Sequence, residues 1–208
     1  MPPLTPPLCA HCGKPLNGRD SSSLLCRGCA AGDLRALDWA RAVYPFDGPL
    51  REAIHQFKYG KERARAAHLG LALLPLLDQL PGGEPAATYR LVPVPLSAAR
   101  RRERGYNQAE ALARVLATPA DWPLDTALVR TRATPPQVGL DRAARQQNVR
   151  AAFAWTGPPL AGQRVLLVDD VLTTGATANE CATVLKAAGA AWVGLVTVAR
   201  AVEPQKRR

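Results

Sequence analysis

The sequence predicts an α/β protein in which a parallel sheet is flanked by helices and preceded by a small cysteine-rich module. Three observations support this prediction. Short apolar runs alternate with segments of helical period along most of the chain. One of these runs ends in two adjacent acids and a loop rich in hydroxyls and glycine, an order typical of ligand-binding sheet edges. Two Cys-x-x-Cys pairs lie near the amino terminus.

The elements of the α/β part follow from the period of the apolar residues. We predict helices over residues 50–59, 63–80 with a break at Pro75, 107–117 and 176–188. Strands are predicted over residues 41–46, 90–96, 124–130, 151–155, 164–168 and 192–199. Alternating strands and helices indicate a parallel sheet with right-handed crossovers. We assign residues 1–35 to the cysteine module, 40–202 to the α/β domain and 203–208 to a basic tail.

The cysteine module has the spacing of a zinc ribbon with four cysteine ligands. Its two pairs, Cys9 with Cys12 and Cys26 with Cys29, are separated by a polar loop long enough to bring them together around one Zn²⁺ ion. The module has few apolar residues, so the metal would supply its folding free energy. Disulfides are the alternative. They require an oxidising compartment, whereas the amino terminus does not resemble a signal peptide, and we therefore expect structural zinc and a cytoplasmic location.

The apolar run at residues 164–168 leads into the chemistry of the domain. Asp169 and Asp170 follow it and suit the vicinal hydroxyls of a polyol, with or without Mg²⁺. The next turn suits an anion, because hydroxyls and successive N–H groups converge near the start of a helix. That turn, which we call the phosphate loop, consists of Thr173, Thr174, Gly175, Ala176 and Thr177. A diol site beside a phosphate site is what a ribose 5-phosphate requires.

Residues 165–177 resemble the signature of the type I phosphoribosyltransferases, which bind 5-phosphoribosyl-1-pyrophosphate (PRPP). The resemblance implies that Asp169 and Asp170 hold the ribose hydroxyls, act in catalysis and bind PRPP together with Mg²⁺. It also implies that the phosphate loop holds the 5-phosphate. In this fold a turn after the first core strand faces the pyrophosphate, and residues 92–97 occupy that place. A mobile flap precedes the signature strand, where residues 131–150 lie in this chain.

The chain is basic, with a net charge of +10, and the positive charge is concentrated near the expected pyrophosphate turn. Arg100, Arg101, Arg102 and Arg104 follow that turn directly. We expect the last three of these arginines, together with Lys58, to bind pyrophosphate or DNA phosphates. A solvated surface is the alternative for the arginine run, and a helix C-terminal cap is the alternative for Lys58.

Three further segments narrow the resemblance to one family. They are Tyr44-Pro-Phe-Asp47 with Phe57-Lys58-Tyr59-Gly60, Val92-Pro-Val-Pro-Leu96 with Arg104-Gly-Tyr-Asn-Gln108, and Pro136-Gln-Val-Gly-Leu140 with Asn148-Val-Arg150. With the cysteine pairs and the signature, they are similar to the ComF family of competence proteins, which includes GntX-like members. In that family a zinc ribbon precedes a phosphoribosyltransferase-like domain. The resemblance implies a role in DNA uptake, with single-stranded DNA and competence or DNA-processing proteins as partners.

Two classes of function are compatible with these motifs. The first is a protein that binds PRPP or a related phosphorylated ribose and handles single-stranded DNA during natural competence. The second is a PRPP-dependent phosphoribosyltransferase of nucleotide metabolism with no DNA role; no residue in the sequence identifies its acceptor. No apolar stretch approaches the roughly 20 residues that a membrane span needs, so we expect no membrane insertion.

Overall fold

The α/β domain is built on a four-stranded parallel sheet. The computed structural model describes residues 2–16, 24–60, 64–82, 89–132 and 149–202. In these ranges the strands are β1 (Trp39–Pro45), β2 (Tyr89–Pro93), β3 (Leu128–Arg130), β4 (Phe153–Trp155), β5 (Arg164–Leu172) and β6 (Trp192–Arg200). The sheet has the order β1-β6-β5-β2, and all of its neighbours run parallel. This arrangement places the carboxyl ends of the two central strands, β5 and β6, side by side.

Helices cover the sheet. They are α1 (Arg27–Ala30), α2 (Gly48–Tyr59), α3 (Arg65–Leu71), α4 (Ala98–Arg104), α5 (Gln108–Ala120) and α6 (Ala176–Ala187), with a 3₁₀ segment at Leu74–Gln79. Two of the caps explain the chain's path near the arginine run. Ser97 accepts a hydrogen bond from the Arg100 N–H and opens α4, and Asn107 accepts one from the Ala109 N–H and opens α5. Gly105, in a left-handed conformation, ends α4 between them.

Strand β5 is buried on both faces, which explains its uninterrupted apolar run. Val165 and Leu167 belong to one apolar cluster, whereas Leu166 and Val168 belong to the other. All four side chains are completely buried. Alternate side chains of a strand point to opposite faces, so one run of four residues stabilises two helical layers.

The parallel sheet was predicted from the sequence, but several element boundaries were predicted wrongly. β5 continues through both acids to Leu172, because its pairing with β6 extends beyond Asp169. The predicted helix over residues 63–80 ends at Leu71 and is followed by the 3₁₀ segment. Helix α4 was not predicted, because its arginines were interpreted as anion ligands or as a solvated charge run and were assigned no secondary structure.

The strands β3 and β4 form a separate antiparallel pair instead of joining the sheet. Residues 124–127 were predicted to be part of β3 and are not. The Asp125 side chain accepts a hydrogen bond from the Ala127 N–H at 2.8 Å and turns the chain there. The short antiparallel pair flanks residues 133–148, which lie outside the described residues.

The cysteine module packs directly against the sheet. The Leu4 N–H donates to the Val43 carbonyl, the Ala40 N–H donates to the His11 carbonyl, and Arg200 Nη1 donates to the Cys12 carbonyl at 2.6 Å. The module cysteines belong to the same apolar cluster as one face of β5 and α6. In the part of the chain that the structure describes, no helix is long and apolar enough to cross a bilayer.

Candidate functional site

The two acids lie near the end of β5, at the carboxyl edge of the sheet. Asp170 is 4% exposed, and its Oδ2 lies 2.8 Å from Lys58 Nζ at the end of α2. Asp169 pairs in register with Thr197 of β6, and its Oδ1 accepts a hydrogen bond from the Asp170 N–H. Burial, and then the adjacent charge of Asp170, raise the pKa of Asp169 to about 8. Lys58 therefore compensates Asp170, while Asp169 retains a raised pKa beside that second carboxylate.

The phosphate loop connects β5 to α6. Gly175 has φ +79° and is the N-cap of α6, a conformation that L residues with a Cβ rarely adopt. The N-cap Gly175 has no side chain to cap the helix, and the Thr174 hydroxyl accepts a long hydrogen bond from the Ala176 N–H at 3.4 Å. A helix start with a glycine N-cap presents N–H groups and the positive end of the helix dipole to an anion.

The acids and the loop open into one cavity of about 290 Å³. Its lining includes nearly all the ligand-binding residues that were predicted from the sequence: Lys58, Arg104, Asp169, Asp170, Thr173, Thr174, Gly175, Ala176 and Thr177. Residues 94–96 of the expected pyrophosphate turn line the cavity as well. The structure thus brings together an acidic pair, the loop at the start of α6 and several cations.

The predicted arginines of α4 do not share one environment. Arg104 is 9% exposed and donates to Gln108 Oε1 and to the Tyr59 hydroxyl, while its guanidinium lies over the Tyr59 ring. Both hydrogen-bond partners are neutral, so they orient the guanidinium without neutralising it. Arg101 and Arg102 are exposed and do not line the cavity, and Arg101 lies 3.7 Å from Glu110. Of the three predicted arginines, α4 therefore presents one to the cavity and two to solvent.

Two cavity arginines were absent from the predicted set of ligand-binding residues. Arg130 ends β3, and Arg100 lies in the first turn of α4; both line the cavity. Burial, and then the charge of Arg100, lower the pKa of Arg130. Two like charges facing one cavity are unfavourable unless an anion lies between them. The position of Arg130 at the end of a predicted strand was the sequence signal that could have identified it as a residue of the cavity.

The four cysteines of the module converge as a second candidate site. Their sulfur atoms all lie within 4.8 Å of one another, and the Sγ atoms of Cys12 and Cys26 are 3.7 Å apart. Tetrahedral Zn²⁺ with Zn–S bonds of about 2.3 Å requires sulfur separations of about 3.8 Å. All four thiols are free of disulfides. The four-cysteine cluster could therefore hold a metal ion, and its dimensions fit zinc.

The backbone around the cysteines supports metal binding. Cys9 Sγ accepts hydrogen bonds from the N–H groups of Cys12 and Cys26, an arrangement that stabilises a thiolate. Burial raises the pKa of the Cys29 thiol to about 12, so that its deprotonation requires a compensating cation. His11, which lies inside the first pair, instead has its Nε2 within 2.7 Å of the Leu37 carbonyl oxygen. Cys181 is completely buried in α6, where it serves as an apolar residue.

Some of the predicted features lie outside the described residues. They are the ribbon loop at residues 17–23, most of the expected flap at 131–150, and the basic residues Lys206, Arg207 and Arg208. At the ends of the expected flap, the Arg132 side chain donates to the Arg150 carbonyl oxygen at 2.8 Å.

Comparison with known proteins agrees with this geometry. A family model described as the phosphoribosyl transferase domain matches residues 102–208. The DNA utilization protein YhgH of Escherichia coli K12 is 35% identical over 190 residues, covering 89% of this chain and 81% of that protein. Competence protein F of Haemophilus influenzae is 32% identical, covering 94% of this chain and 85% of that protein. The competence protein ComFC of Bacillus subtilis is 28% identical, covering 90% of this chain and 75% of that protein.

Solved structures give weaker similarities. The B. subtilis glutamine PRPP amidotransferase, solved with ADP and GMP, matches with a TM-score of 0.41 and 22% identity, covering 64% of this chain and 26% of that chain. The protein TT1426 of Thermus thermophilus matches with a TM-score of 0.36 and 19% identity, covering 70% of this chain and 85% of that chain.

Proposed function

Because this chain belongs to the ComF family of competence proteins, whose members carry a phosphoribosyltransferase domain, we propose that it binds PRPP or a related phosphorylated ribose and handles single-stranded DNA in natural competence. The names of its relatives, DNA utilization protein and competence protein, support the biological role. The phosphoribosyl transferase domain supports the ligand.

One observation carries the ligand assignment: the acidic pair, the start of α6 and a set of cations line one cavity. In the proposed complex the phosphate loop receives the 5-phosphate, and Asp169 and Asp170 receive the ribose hydroxyls. Arg100, Arg104 and Arg130 are then left for the pyrophosphate. Each of the three chemical groups of PRPP has a matching set of partners.

The carboxylates at the acidic end of this cavity support Mg²⁺ as a partner of the ligand. Asp169 would hold the ion, directly or through water, because Asp170 is already paired with Lys58, and burial beside that second carboxylate raises the pKa of Asp169, which a bound cation would lower. When bound, Mg²⁺ would neutralise charge on PRPP. The chain's own residues fix the ribose between the phosphate loop and the acids. The cavity arginines would stabilise negative charge on the pyrophosphate if its bond to the ribose carbon broke.

Titration calorimetry with PRPP and Mg²⁺ tests this proposal. We expect the parent protein to bind. Thr174→Ala should weaken binding by roughly 1.5–3 kcal/mol, because it removes a hydroxyl that faces a charged group. Thr183→Ala is the matched control, since Thr183 lies on α6, hydrogen-bonds the Asn179 carbonyl and does not line the cavity. A parent that does not bind PRPP, or a Thr174→Ala variant that binds like the parent, would count against the assignment.

The second candidate function is catalysis of phosphoribosyl transfer in nucleotide metabolism, without a DNA role. The observation that favours it is the group of cations lining the cavity beside the acids and the phosphate loop, where a pyrophosphate leaving group would need them. A pyrophosphate-release assay against a panel of nucleobases separates the two candidates. PRPP binding without release supports a binding role, whereas sustained release with one base identifies an enzyme and its acceptor.

The DNA role is supported by the exposed arginines of α4. Arg101 and Arg102 follow the cavity-lining Arg100 in the helix but do not line the cavity themselves, which suits contact with the phosphates of a flexible strand. Fluorescence polarisation with a labelled oligonucleotide at low salt is the direct assay. The absence of measurable binding would remove the DNA role from the isolated chain and leave the phosphoribosyl ligand unaffected.

A further inference from the structure

The phosphate loop is in contact with the cysteine module as well as with its ligand cavity. Leu34, which follows the last cysteine pair, is 4% exposed. A Cβ added to Gly175 would lie 2.4 Å from the Leu34 Cδ2 atom, so the leucine side chain rests directly on the glycine of the loop. Gly175 is therefore required by its positive φ and also by the close approach of Leu34.

A second contact holds the first turn of α6. The Ala36 N–H donates to Asn179 Oδ1 at 3.0 Å, and the Asn179 N–H in turn donates to the Gly175 carbonyl at 2.8 Å. The chain that leaves the cysteine module is thus hydrogen-bonded to the helix whose start forms the phosphate site.

The cysteine cluster and the loop also share the lining of a second cavity of about 200 Å³. Cys12, Cys26 and Cys29 contribute to this lining from the module, and Thr173 and Thr174 contribute to it from the loop. Arg200 lines the cavity and reaches the Cys12 carbonyl with its guanidinium, so the end of β6 is bound to the first cysteine pair.

We propose that Leu34 is a positioning residue for the phosphate loop and that it couples metal ligation by the four cysteines to occupancy of the phosphoribosyl cavity. The identity of the cavity ligand rests on the proposed function, whereas the contact between Leu34 and Gly175 does not depend on it. A metal would fix the cysteine module, the module fixes Leu34 and Ala36, and these residues restrict the loop to the conformation that aims its N–H groups into the cavity. Coupling of this kind is reciprocal, so ligand binding must strengthen metal binding by the same factor.

Hydrogen–deuterium exchange of the full, ligand-free chain tests the coupling. Removing the metal from the parent with a chelator should speed exchange of the amides at residues 173–179 by about five-fold or more, the lower end of typical coupling between sites. The amides of residues 165–168 in β5 are the internal reference. Unchanged exchange in the loop after metal removal would overturn the proposal.

Variants at Leu34 separate positioning from simple loss of the metal. Metal-loaded Leu34→Ala should show the faster loop exchange, and Leu34→Met should restore the parent rate because it conserves volume. Leu24→Ala, in the same module but with a side chain 78% exposed, is the control and should behave as the parent. Should Leu34→Ala retain both metal and parent-like loop exchange, Leu34 is not the positioning residue.

Reciprocity provides a separate readout with ribose 5-phosphate as the probe. The ligand should slow release of the metal to a chromogenic chelator in the parent and have little effect in Leu34→Ala. Unaltered metal release in a parent that demonstrably binds ribose 5-phosphate would refute the coupling. If the parent does not bind ribose 5-phosphate, PRPP with Mg²⁺ replaces it as the probe; a parent that binds neither refutes the proposed function instead, and the exchange experiment then decides the coupling alone.

Discussion

The cysteine module and the α/β domain maintain their structure by different means. In the described part of the module, the buried apolar residues are Cys9, Cys12, Leu16, Cys26 and Leu34, so most of them are candidate metal ligands. In the domain, β5 alone contributes four consecutive, completely buried aliphatic residues that pack on both faces of the sheet. We therefore expect the module to depend on a metal and on the sheet beside it, whereas the domain is stabilised mainly by apolar burial.

The largest expected effect follows from loss of the metal. Chelation, or Cys9→Ser, should unfold the module and leave the sheet intact, since structural zinc contributes on the order of 10 kcal/mol in small zinc modules. Elemental analysis should find about one zinc per chain in the parent and far less in Cys9→Ser. Cys181→Ser makes the same chemical change outside the cluster and should retain the metal. Stoichiometric disulfides without metal in the purified parent would contradict the assignment.

A substitution in the core of the α/β domain should destabilise the domain without affecting the metal site. Leu185→Ala deletes a completely buried side chain of α6 and should lower the free energy of unfolding by about 2–5 kcal/mol. Urea unfolding measures this change, and metal content should stay at the parent level. Leu71→Ala, at a position 51% exposed, should change stability by less than about 0.5 kcal/mol. Loss of metal in Leu185→Ala would show that the two regions do not fold separately.

A smaller effect is expected from the titration of Asp169. Its pKa is about 8 in the folded protein, against an ordinary value of 3.8, so the folded state retains a proton that the unfolded state releases between these pH values. The stability of the ligand-free protein should therefore fall as pH rises from about 4 to about 8. Asp169→Asn should remove that part of the pH dependence and raise the melting temperature at pH 8.

Asp78→Asn, in the 3₁₀ segment and away from the cavity, is the control for this titration and should preserve the parent's pH dependence. If the stability of Asp169→Asn depends on pH in the same way as that of the parent, the carboxyl group of Asp169 is already ionised at neutral pH. The proposed need for a compensating cation is then wrong.

The smallest expected effect concerns the exposed arginines of α4. Replacing Arg101 and Arg102 with glutamine should reduce the slope of log affinity against log salt for an oligonucleotide by about 1.4, or 0.7 for each phosphate that is no longer neutralised. PRPP affinity should not change, because neither side chain lines the cavity. The paired variant Arg51→Gln and Arg65→Gln removes the same charge from α2 and α3. An equal reduction of slope in both variants would indicate a general charge effect instead of a binding surface.

Much of the fold and the contiguous part of the candidate site could be predicted from local sequence. The apolar run of β5, the acids after it and the glycine of the phosphate loop are contiguous, so their order in the chain is also their order in space. The two cysteine pairs are likewise close in sequence, so the four-cysteine cluster forms when the polar loop between the pairs folds back. Strand boundaries were less predictable, since β5 ends where its pairing with β6 ends and not where its apolar residues end.

The tertiary structure decided which distant side chains join the site. Lys58 reaches Asp170, Arg130 enters the cavity from β3, and Arg104 is buried while Arg101 of the same helix is exposed. Nothing in a run of arginines tells which of them faces inward, because that depends on the rotation of α4 against α2 and the sheet. The contact of Leu34 with Gly175 joins residues that are distant in sequence. The sequence by itself therefore determined the fold class and the chemistry of the contiguous motifs, whereas packing between separate elements determined the charges that surround them.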